Sequence, residues 1–312
     1  MYALLFGATS PLLPIDTSEF FDSLLQLILK SIYDPLYKSL EKSFNDMFSI
    51  LNYEVSKTEG RILGGPAAWN QSAYSLIQSI AENICIPIAG AFITVIFCWE
   101  LIHLVQESNS MQNVSQEKIF LVLMKFALCM FVCAYSFKIV MGFYDIGAMA
   151  AKQVTGRTSI QFSGIELEDL GLTDPADVTE YELGMLMQLA GYKIILFVGK
   201  LGIMICSMLI YIRSMFWFVE FLLYASVAPI PYSTWINKEW GQVGMNYTRK
   251  MLAYSFEGFL ILLLFTIYGG VMSGLRLGDF TQSMVMILGS GFALAVMMFK
   301  THNISASIFN AH

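Results

Sequence analysis

One apolar run, at residues 183–231, constrains the fold of this chain more than any other feature. Four ionisable residues are its main interruptions: Lys193, Lys200, Arg213 and Glu220. A helix of this length would be about 70 Å long, whereas the hydrocarbon core of a bilayer is about 30 Å thick. The run therefore predicts either two membrane spans, or one span with a further part that lies flat or re-enters the membrane.

Composition and further apolar runs indicate an integral membrane protein. Hydrophobic residues make up 56% and charged residues 13% of the 312 residues, against about 25% charged residues in ordinary soluble domains. Four other stretches predict helical spans, namely residues 84–105, 119–142, 251–272 and 281–299. The sequence thus predicts an all-α polytopic membrane protein with five transmembrane helices, or six if the long run crosses twice.

Residues 1–60 are predicted to form an N-terminal amphipathic helical region. Asp16 followed by Glu19 is typical of a helix start. Apolar residues then recur at steps of three and four, and this stripe comprises Tyr33, Tyr37, Leu40, Phe44, Met47 and Leu51. Pro35 is expected to divide the region into two helices. The pattern fits a small soluble bundle and equally a helix that lies on the membrane or on a partner subunit.

The rest of the chain divides by composition. A glycine-rich linker at 61–83 precedes a transmembrane hairpin at 84–142 and an acidic segment at 143–184. A C-terminal transmembrane bundle at 185–300 contains a basic loop at 232–250, and a tail follows at 301–312. The net charge of −6 arises largely in the first 83 residues and in the acidic segment. Nucleic-acid binding through a basic patch is therefore not expected.

The distribution of Lys and Arg leaves two topologies open. Six spans would place both termini inside, but this count depends on a long N-terminal region, where the positive-inside rule is weak. Five spans would place the N-terminus and the acidic segment outside. The second arrangement puts residues 238–250 and Lys300 inside.

Glu100 and Lys125 are predicted to form an intramembrane ion pair. Glu100 lies near the end of the first span and Lys125 lies early in the second, so an antiparallel hairpin places them at similar depth. A charge near mid-bilayer costs roughly 2.5–3.5 kcal/mol, which favours a partner or a wet cavity. The alternative is that both side chains extend to the same interface.

Five further ionisable residues fall within the C-terminal spans. Seven-residue spacing places Lys193 with Lys200 on one helix face, and it does the same for Arg213 with Glu220. Glu257 lies in a later span. Such residues line either a water-filled passage or contacts between subunits.

No residue pattern indicates catalysis. The chain holds no GxxxxGK[ST] phosphate loop, no HExxH metal motif and no GxSxG nucleophile motif. Its three histidines have no metal-ligand spacing, and its five cysteines lie in apolar runs without a CxxC pair. The sequence predicts a non-enzymatic protein with no cofactor and no metal, in which the thiols serve packing.

The stretch SVAPIPYSTWINKEWGQVG, residues 226–244, predicts an interfacial loop after the long run. Pro229 and Pro231 are expected to end the helix and to disfavour helical geometry at Ala228 and Ile230, the residues before them. The loop also holds Trp235 and Trp240, of a type enriched at membrane–water interfaces, with Lys238 and Glu239 between them and Arg249 and Lys250 beyond. These cations make it the most basic short loop, which favours the cytoplasmic side.

Three segments together resemble one family of membrane proteins. They are APIPYSTWINKEWGQVGMNYTRKMLAYSFEGFLI, GGPAAWNQSAYSLIQSIAENICIPIAG and the C-terminal FKTHNISASIFNAH. Each is similar to the corresponding part of TrbL-like conjugal transfer membrane proteins from integrative conjugative elements of Gram-positive bacteria. The resemblance extends from about residue 60 to the C-terminus.

The resemblance implies a polytopic channel subunit of a type IV secretion system in the cytoplasmic membrane. Such a subunit forms homo-oligomers, contacts other membrane subunits and secretion ATPases, and helps pass single-stranded DNA with its attached relaxase. The family's sidedness favours the five-span topology, with an extracytoplasmic acidic loop and a cytoplasmic loop at 232–250. That loop is then a predicted partner-contact surface, formed by Pro229, Pro231, Trp235, Lys238, Glu239, Trp240, Arg249 and Lys250. The alternatives are a small-solute transporter and a purely structural assembly anchor.

Overall fold

The computed structural model describes residues 17–107, 116–155, 167, 172–237, 239–273 and 279–311. These residues are predominantly helical and contain no strand, which confirms the all-α prediction. The first half contains α1 (Thr17–Gly64), α2 (Pro66–Trp69), α3 (Gln71–Ile80), a π-helical turn (Ala81–Cys85), α4 (Ile86–Glu107), α5 (Gln116–Ala134) and α6 (Ser136–Thr155). The second half contains α7 (Leu183–Ser226), α8 (Pro229–Tyr232), a 3₁₀ turn (Ser233–Ile236), α9 (Gly241–Ser273) and α10 (Phe280–Ile308).

Within the described residues, four continuous helical segments are long and apolar enough to cross a membrane. They are Gln71–Gln106, Leu183–Ser226, Gly241–Met272 and Phe280–Ile308. A fifth crossing is supplied if α5 and α6, which meet at a 65° bend, count as one span. The prediction of a polytopic protein is thereby confirmed, with four or five such helices.

The long apolar run is one helix. α7 continues without a break for 44 residues, or about 66 Å at 1.5 Å per residue. The alternative of two spans within this run was therefore wrong, and with it the six-span topology. Because the helix is longer than the hydrocarbon core, part of it extends beyond the apolar layer.

The N-terminal region is also continuous, and the expected division at Pro35 was wrong. α1 runs through Pro35 for 48 residues. Tyr33 and Tyr37, on either side of the proline, are 2% and 7% exposed, and all six residues of the predicted stripe are buried. Proline removes one backbone hydrogen bond. The buried stripe on both sides of Pro35 accompanies a helix that continues through it.

The predicted linker at 61–83 is helical for most of its length. α1 ends at Gly64, and Gly65 adopts a φ of 82°, a left-handed conformation that glycine adopts at low cost. Pro66 then opens α2 in the first helical turn. Asn70 caps α3 by accepting a hydrogen bond from the backbone N–H of Ala73, at 3.0 Å.

One compact unit comprises Met1–Ser49, Ser163–Met204 and Leu275–Gly289. Within it, α1 and α7 run in the same direction. Lys193 Nζ donates to Ser39 Oγ at 3.0 Å, and Lys200 Nζ lies 3.2 Å from Asp46 Oδ2. Lys193 and Lys200 are seven residues apart on α7, and Ser39 and Asp46 are seven residues apart on α1. The contacts therefore repeat about once every two helical turns.

The second unit comprises Ile50–Phe162, Ile205–Gly274 and Ser290–His312. Its core contains Trp217, which is fully buried and donates its Nε1–H to the backbone oxygen of Tyr254 at 2.8 Å. The Trp217 ring lies 6.0 Å from the Tyr144 ring, centroid to centroid. The Tyr144 hydroxyl donates to the backbone oxygen of Ile62 at 2.9 Å. These contacts join α1, α6, α7 and α9.

Close packing of α6 on α9 depends on Gly147. A Cβ built at this position would meet the backbone oxygen of Ser255, and a helix backbone cannot yield as a flexible side chain does. Gly142, one helical stretch earlier in α6, has open space where its Cβ would be. A side chain larger than hydrogen therefore meets the α9 backbone at Gly147 but not at Gly142.

We expect Gly147→Ala to separate α6 from α9 and to lower stability by about 1–3 kcal/mol, the cost of overpacking a core. Gly142→Ala is the matched control and should be neutral or slightly stabilising, because alanine favours helix. Chemical denaturation of the purified protein in detergent measures both. Equal stability of the two variants would contradict the role of Gly147.

Candidate functional site

A buried charge cluster lies where α7, α9 and α10 meet in the second unit. Glu257, on α9, has no exposed surface, and Arg213, on α7, is 5% exposed. Arg213 Nη2 donates to Glu257 Oε1. The other carboxylate oxygen, Oε2, lies 2.9 Å from Nδ1 of His302 on α10, and the Thr301 hydroxyl lies 3.4 Å from Oε1. One carboxylate thus accepts hydrogen bonds from two neighbouring helices.

The cluster joins residues that the sequence treated separately. Arg213 and Glu257 were predicted as members of one functional set without being paired. His302 and Thr301 were missed, since no spacing relates them to Glu257 and the partners lie 44 and 45 residues apart along the chain. Glu220 is exposed on α7, beyond the buried Arg213. Arg213 and Glu220 are seven residues apart on the continuous helix α7, so they lie on one side of it, as the spacing predicted.

Lys193 and Lys200 are bonded within the chain. Their partners are Ser39 and Asp46 on α1, as described above. The Lys200–Asp46 pair is about a third to a half exposed, at 32% and 46%. Whether these lysines also face a passage or another subunit stays a prediction.

The proline stretch folds back against α5. The thiol of Cys133 donates to the backbone oxygen of Pro229 at 3.4 Å, and that of Cys129 donates to the backbone oxygen of Tyr232 at 3.2 Å. Both cysteines are buried on one face of α5, four residues apart. They therefore fix α8 through its carbonyl groups as well as by packing.

Two expectations about this stretch were wrong. Ala228 has helical geometry, with φ −48° and ψ −41°, because the prolines begin a new helical turn, where a missing N–H costs nothing. The basic loop at 232–250 is also shorter than expected. α9 begins at Gly241, so Arg249 and Lys250 lie on a helix.

The tryptophans beside this turn are exposed, as a membrane–water interface requires. Trp235 is 37% and Trp240 is 50% exposed. Asn237 holds the turn, since its Oδ1 accepts from the backbone N–H of Glu239 at 2.6 Å and of Trp240 at 3.1 Å. Burial raises the pKa of the nearby Tyr232, so this phenol stays neutral. Lys238 lies outside the described residues.

A cavity of about 330 Å³ lies between the end of α4, the start of α5 and this turn. Its lining comprises Trp99, Glu100, His103, Leu104, Lys118, Leu121, Val122, Lys125, Asn237 and Glu239. Glu100 and Lys125 thus line one cavity without lying within 4.0 Å of each other, and an ion pair between them within the membrane stays a prediction. His103 and Lys118 were not singled out from the sequence.

The described residues contain no group of three or more His, Cys, Asp or Glu that could hold a metal ion.

A family model for "TrbL/VirB6 plasmid conjugal transfer like protein" matches residues 51–229. This range covers more than half of the chain. The chain belongs to the TrbL/VirB6 family. No curated protein and no solved structure matches it.

TrbL/VirB6 membership confirms the resemblance read from the sequence and identifies a multi-pass membrane component of conjugal transfer. The matched range contains one complete quoted segment, GGPAAWNQSAYSLIQSIAENICIPIAG, and ends at Pro229. Arg213 lies inside the range, whereas Glu257 and His302 lie beyond it. The charge cluster is therefore a feature of this chain that the family match alone does not describe.

We expect Arg213→Met to lower stability by about 3–5 kcal/mol, because it leaves the buried Glu257 carboxylate without its cation. The double variant Arg213→Met/Glu257→Leu should recover much of this loss, since it removes both charges. Thermal unfolding in detergent micelles measures the two variants.

The matched control is Lys200→Met, which breaks the exposed pair with Asp46. Exposed pairs contribute about 0–1 kcal/mol. If Arg213→Met cost no more than Lys200→Met, the buried pair would not be a structural determinant of the bundle.

Proposed function

We propose that this protein is a non-enzymatic subunit of a conjugative type IV secretion system in the cytoplasmic membrane. It supports the transfer of single-stranded DNA with an attached relaxase, and separate ATPases supply the energy. The match of the TrbL/VirB6 family over residues 51–229 carries this proposal. The apolar helices agree with it, because a transfer channel needs a membrane-embedded bundle.

The cavity supports a five-span topology. Its lining includes the end of α4, the start of α5 and the turn between α8 and α9, so these parts lie near one membrane face. If α7 crosses once, it begins at the opposite face. The bent pair of α5 and α6 must then cross as one span. Five crossings in total place the two ends of the chain on opposite faces. The N-terminus is then outside when the α8–α9 turn is inside, as the resemblance to the family implies.

We expect single cysteines at Lys118 and Glu239 to be protected from an impermeant maleimide in intact cells. A cysteine at Asp177, in the acidic segment, should react. All are made in a Cys98→Ala background, because Cys98 is the exposed native thiol among the five. Opposite labelling of positions 118 and 239 would contradict the five-span topology.

The turn between α8 and α9 is the proposed contact surface for partner subunits and ATPases. It presents Trp235 and Trp240 at 37% and 50% exposure, with the exposed Glu239 between them. Exposed tryptophan is enriched among residues that dominate binding energy. Arg249 and Lys250 extend this surface along the first turns of α9.

Deleting the gene should abolish conjugal transfer without a growth defect, and the wild-type gene should restore it. Trp240→Ala combined with Lys238→Glu should lower transfer frequency by roughly tenfold or more, the loss expected for a hot-spot residue. Lys152→Glu, an exposed charge reversal at the end of α6, is the control. Membrane insertion is checked by fractionation and immunoblot.

Transfer that persists after deletion would overturn the proposed function. A defect in solute uptake with intact transfer would instead indicate the small-solute transporter. Unchanged transfer in the Trp240 and Lys238 variant, with deletion still defective, would reject only the contact surface.

An assembly anchor without a lumen is the second candidate. It is favoured by the in-chain bonds of Lys193 and Lys200 and by the burial of Arg213 and Glu257, since side chains that are already paired are poor linings for a wet passage. Photo-crosslinking residues at positions 193 and 200 distinguish the two. Crosslinks from these positions to the transferring strand support a lumen. If a scan of further positions along the chain also gives no crosslink to the strand, the anchor is supported. Homo-oligomerisation is proposed in either case.

A further inference from the structure

The cavity between α4, α5 and the α8–α9 turn holds charges for which the described part of the chain supplies no ion-pair partner. Glu100, Lys118, Lys125 and Glu239 all line it. Among the described residues, none of the four lies within 4.0 Å of an opposite charge, whereas three other ion pairs meet that distance. The cavity therefore offers two amines and two carboxylates to a ligand.

The cavity lies beside exposed apolar surfaces of α4 and α5. On α4, Val95 and Ile102 are 63% and 52% exposed, and on α5, Phe120 and Leu128 are 66% and 62% exposed. These helices belong to the apolar segments that can cross a membrane. Trp99 lines the cavity and is half exposed, as is typical of a ring at the headgroup level.

The charges lie at positions that suit one mixed-charge ligand. Lys118 and Lys125 are seven residues apart on α5, which places both amines on one face. Glu100 comes from α4 and Glu239 from the turn that Asn237 holds. The two carboxylates would repel a purely anionic ligand, and the two amines would repel a purely cationic one. A group with one phosphate and one primary ammonium satisfies both sets.

We propose that this cavity binds the headgroup of an aminophospholipid of the phosphatidylethanolamine class. Lys118 and Lys125 hold the phosphate oxygens through charge-assisted hydrogen bonds, and Glu100 and Glu239 accept from the ammonium. The acyl chains lie along the exposed apolar residues of α4 and α5. The cavity volume of about 330 Å³ is at the small end of ligand sites, as a headgroup requires. The proposal does not depend on the role in transfer.

Native mass spectrometry of the detergent-purified full chain tests the proposal. The protein is titrated separately with phosphatidylethanolamine, phosphatidylglycerol and phosphatidylcholine of the same acyl composition. We expect phosphatidylethanolamine to bind roughly tenfold more tightly than phosphatidylcholine, because a quaternary ammonium has no N–H to donate. Equal binding of all three lipids, or a preference for phosphatidylglycerol, would overturn the proposal.

Two double variants assign the site. Lys118→Gln/Lys125→Gln should weaken phosphatidylethanolamine binding about tenfold. Glu100→Gln/Glu239→Gln should turn the preference toward phosphatidylglycerol, because only the amines remain charged. The ratio between lipids is measured within each variant, so it does not depend on expression level.

The control is Lys138→Gln/Lys152→Gln, two exposed lysines of α6 that do not line the cavity. It should bind all lipids as the unaltered protein does, and an equal loss in the control would overturn the assignment to this cavity. A final titration uses soluble glycerophosphoethanolamine. If this soluble headgroup binds as tightly as the lipid does, the ligand is a soluble phosphodiester and the acyl chains play no role in binding.

Discussion

The bundle depends on satisfying one carboxylate. Glu257 has no exposed surface, and an uncompensated charge at such a site costs several kcal/mol. The compensation comes from Arg213 on α7 and from His302 and Thr301 on α10. Because each donor arrives on a different helix from the acceptor, the carboxylate is satisfied only when α7, α9 and α10 are docked in one register. A displacement of either neighbour by one residue would break the set.

The fold class followed from the sequence, since run length and composition require helices in a bilayer. The stripe on α1 was also predictable, because a period of three and four residues is a local property. The expected breaks were not. Pro35 and the second crossing within the long run were judged by local preference, whereas buried residues on both sides accompany a continuous helix at Pro35. A proline alone removes one hydrogen bond, and buried aromatic rings on both sides outweigh it.

Apart from the Glu100–Lys125 pair and the contact loop, the candidate sites were predicted as separate residues and not as groups that contact one another. Arg213, Glu257, Glu100 and Lys125 were chosen because a charge at membrane depth is costly, and this argument needs no structure. Their partners could not be predicted, because His302 is brought to Glu257 by tertiary packing, and Glu239 is brought near Glu100 by the fold-back of α8. The cysteines illustrate the same limit. Burial was expected, but donation to the carbonyl groups of Pro229 and Tyr232 depends on where α8 docks.

The thiol contacts have a kinetic consequence. A thiol reacts only when it is accessible and ionised, and Cys129 and Cys133 are buried with their sulfurs directed at α8. Alkylation must then wait until the turn detaches from α5, an opening of the kind that governs exchange of buried groups. The rate at which these two thiols are alkylated therefore reports how often the turn detaches from α5. It can be measured in a membrane or in an assembly without an engineered cysteine, because both thiols are native.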